Sequence, residues 1–118
     1  MLKKKTKGDI PMATITMNDT QFREAMDQAQ GLLLVEFWAP WCVYCRRIGP
    51  AQAKVAEQYD GRVTVAQINI DDYPALADDQ GVELVPTFLL YRGGTLLDTM
   101  VAPDSKAAID AFLAPYLT

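Results

Sequence analysis

The sequence predicts an α/β fold: a three-layer α/β/α domain built on a mixed central sheet of about five strands with about four helices. Three observations predict it. Two nearly continuous apolar runs, Leu32-Leu33-Leu34-Val35-Glu36-Phe37-Trp38 and residues 62–70, have the pattern of strands covered on both faces. Segments with helical spacing of apolar residues separate the strand patterns. Finally, Gly93-Gly94 between two late strand patterns marks a hairpin, which adds antiparallel pairing to the sheet.

Each element follows from local chemistry. Residues 12–16 form a short strand pattern. Asn18 or Asp19 can cap a helix in which Phe22, Met26 and Ala29 share a face, and Gly31 ends it. After the first apolar strand, Ala39-Pro40-Trp41 breaks the chain. A long helix is expected over about 42–59, with Ile48, Val55 and Tyr59 inward and a kink at Pro50. Asp71 and Asp72 end the second apolar strand. Pro74 then starts a short helix to about Gln80, stopped by Gly81. Residues 87–91 and 95–101 flank the glycine pair. Asp104 or Ser105 caps a last helix that turns Ile109, Phe112 and Leu113 inward.

Composition excludes many function classes. The 118 residues suffice for one domain, and half of them are hydrophobic. There is no histidine, so no Ser-His-Asp triad, Cys-His dyad or His-ligated zinc site can be built. The net charge of −4 conceals a split. Lys3, Lys4, Lys5 and Lys7 crowd the start, and the remainder is strongly acidic, which argues against a nucleic-acid surface. Residues 1–11 are expected to be a disordered lysine-rich tail and residues 12–118 the folded domain. Thr6, Gly8, Asp9 and Pro11 follow the lysines where a signal peptide would need an apolar stretch, so a cytoplasmic location is expected. No run of about 18 apolar residues could cross a membrane.

The chemistry falls to the two cysteines, Cys42 and Cys45, at the junction of a buried strand and a helix. Side chains three apart on a helix are neighbours, with Cβ atoms about 5–6 Å apart. A disulfide needs about 4 Å, so dithiol and disulfide are both within reach of a small adjustment. Unpaired N–H groups and the positive end of the helix dipole favour a thiolate at the first position. Free cysteine is only about 3% thiolate at pH 7, and lowering its pKa to about 7 makes that half. Cys42 is therefore the expected nucleophile, and Cys45, one turn deeper, the residue that resolves a mixed disulfide. Two buried filler cysteines would not need this spacing. Half of a zinc site would need carboxylates or a second chain.

Phe37-Trp38-Ala39-Pro40-Trp41-Cys42-x-x-Cys45 resembles the active-site segment of thioredoxins. Val85-Pro86-Thr87, Asn69-Ile70-Asp71 and Gly93-Gly94 match that family in order and spacing, over roughly residues 12–118. The resemblance implies a thioredoxin-like fold and a protein thiol–disulfide oxidoreductase needing no prosthetic group. It implies disulfide-containing proteins as substrates, and a thioredoxin reductase or another dithiol as electron donor. It also implies a cis bond before Pro86, with the Val85 backbone beside Cys42. A monomer is expected.

Glu36 interrupts an apolar strand and by alternation shares a face with Leu34 and Trp38. If that face is covered, burial raises its pKa. The resemblance makes it the group that moves a proton to and from Cys45. A partly exposed acid at a strand end is the plainer alternative. Where the family often places a lysine beside this acid, the chain has Gln67, so proton transfer through water is expected. Trp41, Val43, Tyr44, Val85, Pro86 and Ala102, with Pro103, are expected to form an apolar docking surface around Cys42.

Two departures from the family bear on function. Val43-Tyr44 stands where thioredoxins usually have Gly-Pro, and Ala102 stands where they often have glycine. The first frees a backbone N–H and torsion between the cysteines, and the second adds a methyl to the groove. A disulfide reductase is the leading expectation. A more oxidising oxidase or isomerase of the same fold is the alternative. A third reading is a binding module whose cysteines bridge a metal or cluster across a dimer.

Overall fold

The structure is a computed structural model that describes residues 14–28 and 31–117. The lysine-rich segment 1–11, the expected strand start at Met12 and the inward Ala29 lie outside the described residues. The element order is β1 (Thr14–Thr16), α1 (Asp19–Gln28), β2 (Leu32–Trp38), α2 (Val43–Gln58), β3 (Val63–Asn69), α3 (Pro74–Asp79), β4 (Thr87–Arg92), β5 (Thr95–Val101) and α4 (Lys106–Leu113). A 3₁₀ turn over Ala114–Tyr116, which the sequence pattern did not signal, follows α4.

The five strands form one sheet in the order β1-β3-β2-β4-β5. β1 and β2 pair parallel with β3, whereas β2–β4 and β4–β5 are antiparallel, which makes the sheet mixed. The two apolar strands are interior, with β2 at the centre. Six of its seven residues are buried, as expected of a strand covered on both faces.

Alternation along β2 divides the core. Leu33, Val35 and Phe37 pack with Phe22 of α1 and Leu76 of α3. Leu32 and Leu34 pack with Ile48 and Val55 of α2 and Ile109 and Leu113 of α4. Burying each such side chain contributes about 1.5–3 kcal/mol. Helices therefore cover both faces, and even-numbered positions of β2 look toward α2. This one fact decides where Glu36 points.

Caps refine the helix starts. Asn18, not Asp19, caps α1: its Oδ1 accepts from the Gln21 backbone N–H at 2.7 Å, while Gln21 Oε1 accepts from the Asn18 N–H at 2.9 Å. This reciprocal pair is a capping box. Ser105, not Asp104, caps α4 by accepting from the Ala108 N–H at 3.1 Å. α2 begins at Val43, and Cys42 is its extended N-cap (φ −88°, ψ 105°) rather than a helical residue. Pro50 lies inside α2 on its exposed side, and the helix runs on as one element. Gly93 and Gly94 have φ 57° and 81°. Positive φ at both central residues suits a two-residue hairpin, and only glycine adopts it without steric cost.

Candidate active site

The site sits at the carboxyl end of β2. The strand ends at Trp38, Ala39 is fully buried, and Cys42 caps α2. Cys42 and Cys45 form a disulfide with a Cα–Cα distance of 5.3 Å, within the usual range. Sγ of Cys42 also accepts the Cys45 backbone N–H at 3.1 Å. The sulfur thus does the work of a capping oxygen, taking up one of the first turn's donors that no carbonyl of the helix reaches. Cys45, expected to be the more buried cysteine, is 5% exposed against 8% for Cys42; the margin is small, and helix position separates the two more than burial does.

The Val85–Pro86 bond is cis, and Cys42 Sγ lies 3.8 Å from the Val85 carbonyl oxygen. Val85 and Tyr44 are half-buried and pack against the cysteine cluster, while Pro86 is buried. Trp41 and Val43 project outward, 64% and 53% exposed, and Ala102 is exposed on the β5–α4 turn. Leu84, 62% exposed, stands just before Val85. An apolar residue in a loop pattern carries no sequence signal of its own exposure, so it was not anticipated. The Trp41 indole N–H donates to Asp71 Oδ1 at 3.2 Å, joining the loop after β2 to the loop after β3. Tyr44 Oη donates to the Pro103 carbonyl at 3.0 Å, with the Ala102 carbonyl at 3.4 Å. Ala102 has φ 49°, a left-handed conformation that favours glycine. The family's frequent glycine at this place has a steric reason, and the chain tolerates alanine there.

Beneath the pair, Glu36 is only 2% exposed. Its face is covered by α2, so the reading as a partly exposed strand-end acid fails. Burial raises its pKa to about 8, opposed in part by the Gln52 side chain. Glu36, Trp38, Cys45 and Gln52 line one cleft of about 160 Å3, with Arg46, Gly49 and Gln67 completing it. Gln67 sits opposite Glu36 in the β2–β3 register, and its Nε2 donates to Thr16 Oγ1 at 3.1 Å. No cation from β3 reaches this carboxyl. Gln52, 2% exposed, was missed at the level of sequence. A signal existed: it stands four residues after Ile48 and three before Val55, a polar residue on the buried stripe of a helix.

Among the described residues, no group of three or more Cys, Asp or Glu side chains is placed to hold a metal ion. No described helix is long and apolar enough to cross a membrane.

A strand-to-helix junction carrying a vicinal dithiol–disulfide pair, with a buried carboxyl below it, defines a thiol–disulfide redox centre on an α/β fold. The thioredoxin family profile matches residues 13–115, and the chain belongs to the thioredoxin family of thiol–disulfide oxidoreductases. A thioredoxin from Alicyclobacillus acidocaldarius is 35% identical over 105 residues, covering 89% of this chain and 99% of its own. One from Synechocystis is 34% identical over 105 residues, covering 89% and 98%. One from Porphyra purpurea is 31% identical over 107 residues, covering 91% and 100%.

Proposed function

We propose that the chain is a protein-disulfide reductase in which Cys42 is the nucleophile and Cys45 the resolving thiol. The carrying observation is that the Cys42 sulfur caps α2, where a thiolate gains both the Cys45 N–H and the dipole. The Cys42 thiolate attacks one sulfur of a substrate disulfide. That S–S bond breaks and the second substrate sulfur leaves as a thiolate, which takes up a proton. Cys45 then loses its proton and attacks Cys42 Sγ. The remaining substrate sulfur is released, and the protein is left with its Cys42–Cys45 disulfide. Two electrons have passed to the substrate, and an external dithiol, such as that of a reductase, restores the pair.

Glu36 is the proton acceptor for Cys45 in this scheme and the donor on the return step. A pKa of about 8 leaves both its forms populated at pH 7. The cleft it shares with Cys45 has room for water to relay the proton. Trp41, Val43, Tyr44, Val85 and Ala102 form the docking surface, to which Leu84 adds, while Pro86, expected there, is buried and contributes through the cis turn at Val85. An extended substrate segment would meet exposed apolar side chains there. The role suits a monomer in a reducing compartment such as the cytoplasm.

The test is reduction of insulin disulfides driven by dithiothreitol. The chain accelerates it, and Cys42→Ser abolishes the effect; no acceleration, or full activity in Cys42→Ser, removes the proposal. Direction is read from equilibrium with glutathione. A reductant lies near thioredoxin's roughly −270 mV, whereas a value near −180 to −120 mV assigns the oxidase or isomerase reading.

A further inference from the structure

We infer that Gln52 is a positioning residue for Glu36, offering its side-chain amide to the carboxyl in either protonation state across the cleft beneath Cys45. The inference rests on the proton-transfer role proposed for Glu36.

The inward stripe of α2 runs Cys45, Ile48, Gln52, Val55, with Tyr59 capping the end. Gln52 is the one carboxamide in it, and it is as deeply buried as Glu36. A buried carboxamide is costly unless hydrogen-bonded, so leucine would serve packing alone better here. Gln52 Nε2 and Glu36 Oε2 are both buried without a hydrogen-bond partner among the described residues, and their side chains line the same cleft. One comes from α2 and the other from β2.

The other groups facing Glu36 do not fill this role. On β3, Gln67 is opposite in register and also lines the cleft, but it is only partly buried and its amide nitrogen is held outward by donating to Thr16 Oγ1. On β4, the register partner is Phe88, which is apolar. On β2, the Trp38 indole N–H has no partner among the described residues and lines the cleft, but indole only donates and cannot accept the O–H of a protonated acid. On α2, the titratable and charged neighbours are Cys45 and Arg46, and the exposed Arg46 guanidinium donates to the Pro40 carbonyl at 2.7 Å. A buried carboxamide with its amide nitrogen unengaged has what these groups lack. Its N–H donates to a carboxylate and its C=O accepts from a carboxylic acid, and rotation about the soft terminal torsion exchanges them. A lysine in its place would stabilise the carboxylate only. Gln52 leaves both forms within reach, as a group that must accept and return a proton requires.

The experiment follows the Glu36 carboxyl ¹³C resonance and the Gln52 side-chain amide resonances through a pH titration of the full chain. In the unaltered protein the amide shifts are expected to move with the carboxyl's own midpoint; amide shifts that stay flat through it overturn the inference. In Gln52→Leu and Gln52→Met, loss of the stronger bond to the charged form moves the Glu36 midpoint upward by about one unit, a tenfold drop in carboxylate at neutral pH. The resolving step slows in parallel, and Glu36→Gln abolishes the difference between Gln52 and Leu. An unmoved midpoint in both variants overturns the inference. These titrations do not depend on turnover, so failure of the reductase reading would register separately, in the insulin assay of the unaltered chain.

Discussion

The backbone N–H of Cys45 points at the sulfur of Cys42 from 3.1 Å. One cysteine of the pair thus solvates the other through the main chain, by a donor that every residue except proline would supply at position 45. In the reduced protein we expect the same N–H to face the Cys42 thiolate. The first turn of α2 adds its remaining free donors. With no histidine in the chain, no imidazolium contributes.

The first prediction concerns reactivity. In the reduced protein at pH 7, iodoacetamide labels Cys42 well before Cys45, and the pH midpoint for labelling Cys42 lies below the roughly 8.5 of a free thiol. Mass spectrometry of the digested protein reads both quantities. In Cys45→Ser the mixed disulfide with substrate persists, because no resolving thiol remains. Preferential labelling of Cys45 would reverse the assignment of roles.

The second prediction is a pH dependence. The carboxyl of Glu36 titrates near 4.5 when solvated and near 8 when folded. Between those values the folded protein binds more protons than the unfolded chain, so stability falls as pH rises across this window. Below about pH 4.5 the group costs nothing, and above about 8 its full cost is present. At pH 7 the cost is on the order of 3 kcal/mol. Glu36→Gln therefore flattens the profile between pH 5 and 8 and stabilises the protein at pH 7. Urea unfolding at pH 5, 7 and 9 measures both. The same variant slows release of the mixed disulfide by roughly tenfold, since only about a tenth of the carboxyl is ionised at pH 7. A parent protein equally stable at pH 5 and 8 would contradict the buried titration.

Tyr44 carries the third. Its hydroxyl ties the first turn of α2 to the Pro103 carbonyl, 59 residues away. Tyr44→Phe keeps the ring in the cysteine cluster and removes only this tie. We expect a loss of about 1 kcal/mol in denaturant unfolding and faster hydrogen exchange in the β5–α4 turn. Unchanged exchange there would mean that the hydroxyl does not hold the turn.

Ala102 carries the fourth. Its φ of 49° places a Cβ where glycine has none, while its N–H donates to the Pro86 carbonyl at 2.9 Å. Ala102→Gly keeps the hydrogen bond and removes the steric cost of about 1–2 kcal/mol, partly offset by a more flexible unfolded chain. The net expectation is a gain of roughly 0.5–1 kcal/mol, together with a wider groove beside Val85. Thermal unfolding checks the first part. A destabilised variant would show that the turn is not strained by the methyl.

Much of this is legible in the amino-acid sequence. A short, nearly unbroken apolar run bounded by Gly31 and Pro40 fits a strand covered on both faces, and β2 is that. A glycine pair between strand patterns can turn through positive φ at both positions, and Gly93 and Gly94 do. Cysteines three apart after a strand break meet at a helix start. These features depend on neighbours in the chain, and period and steric preference express them locally. The family motifs carried the rest of the site outline, including the cis bond at Pro86.

Contacts between distant segments were decided elsewhere. Alternation put Glu36 on the face of Leu34 and Trp38, but only the crossover from β2 to β3 laid α2 over that face and buried the acid against Gln52. The bond from Tyr44 to Pro103, the exposure of Leu84 and the left-handed Ala102 likewise arise where separate loops converge. Period and propensity describe one segment at a time. Which side chains share a low-dielectric cleft, and hence which protons are held, is a property of how the layers stack.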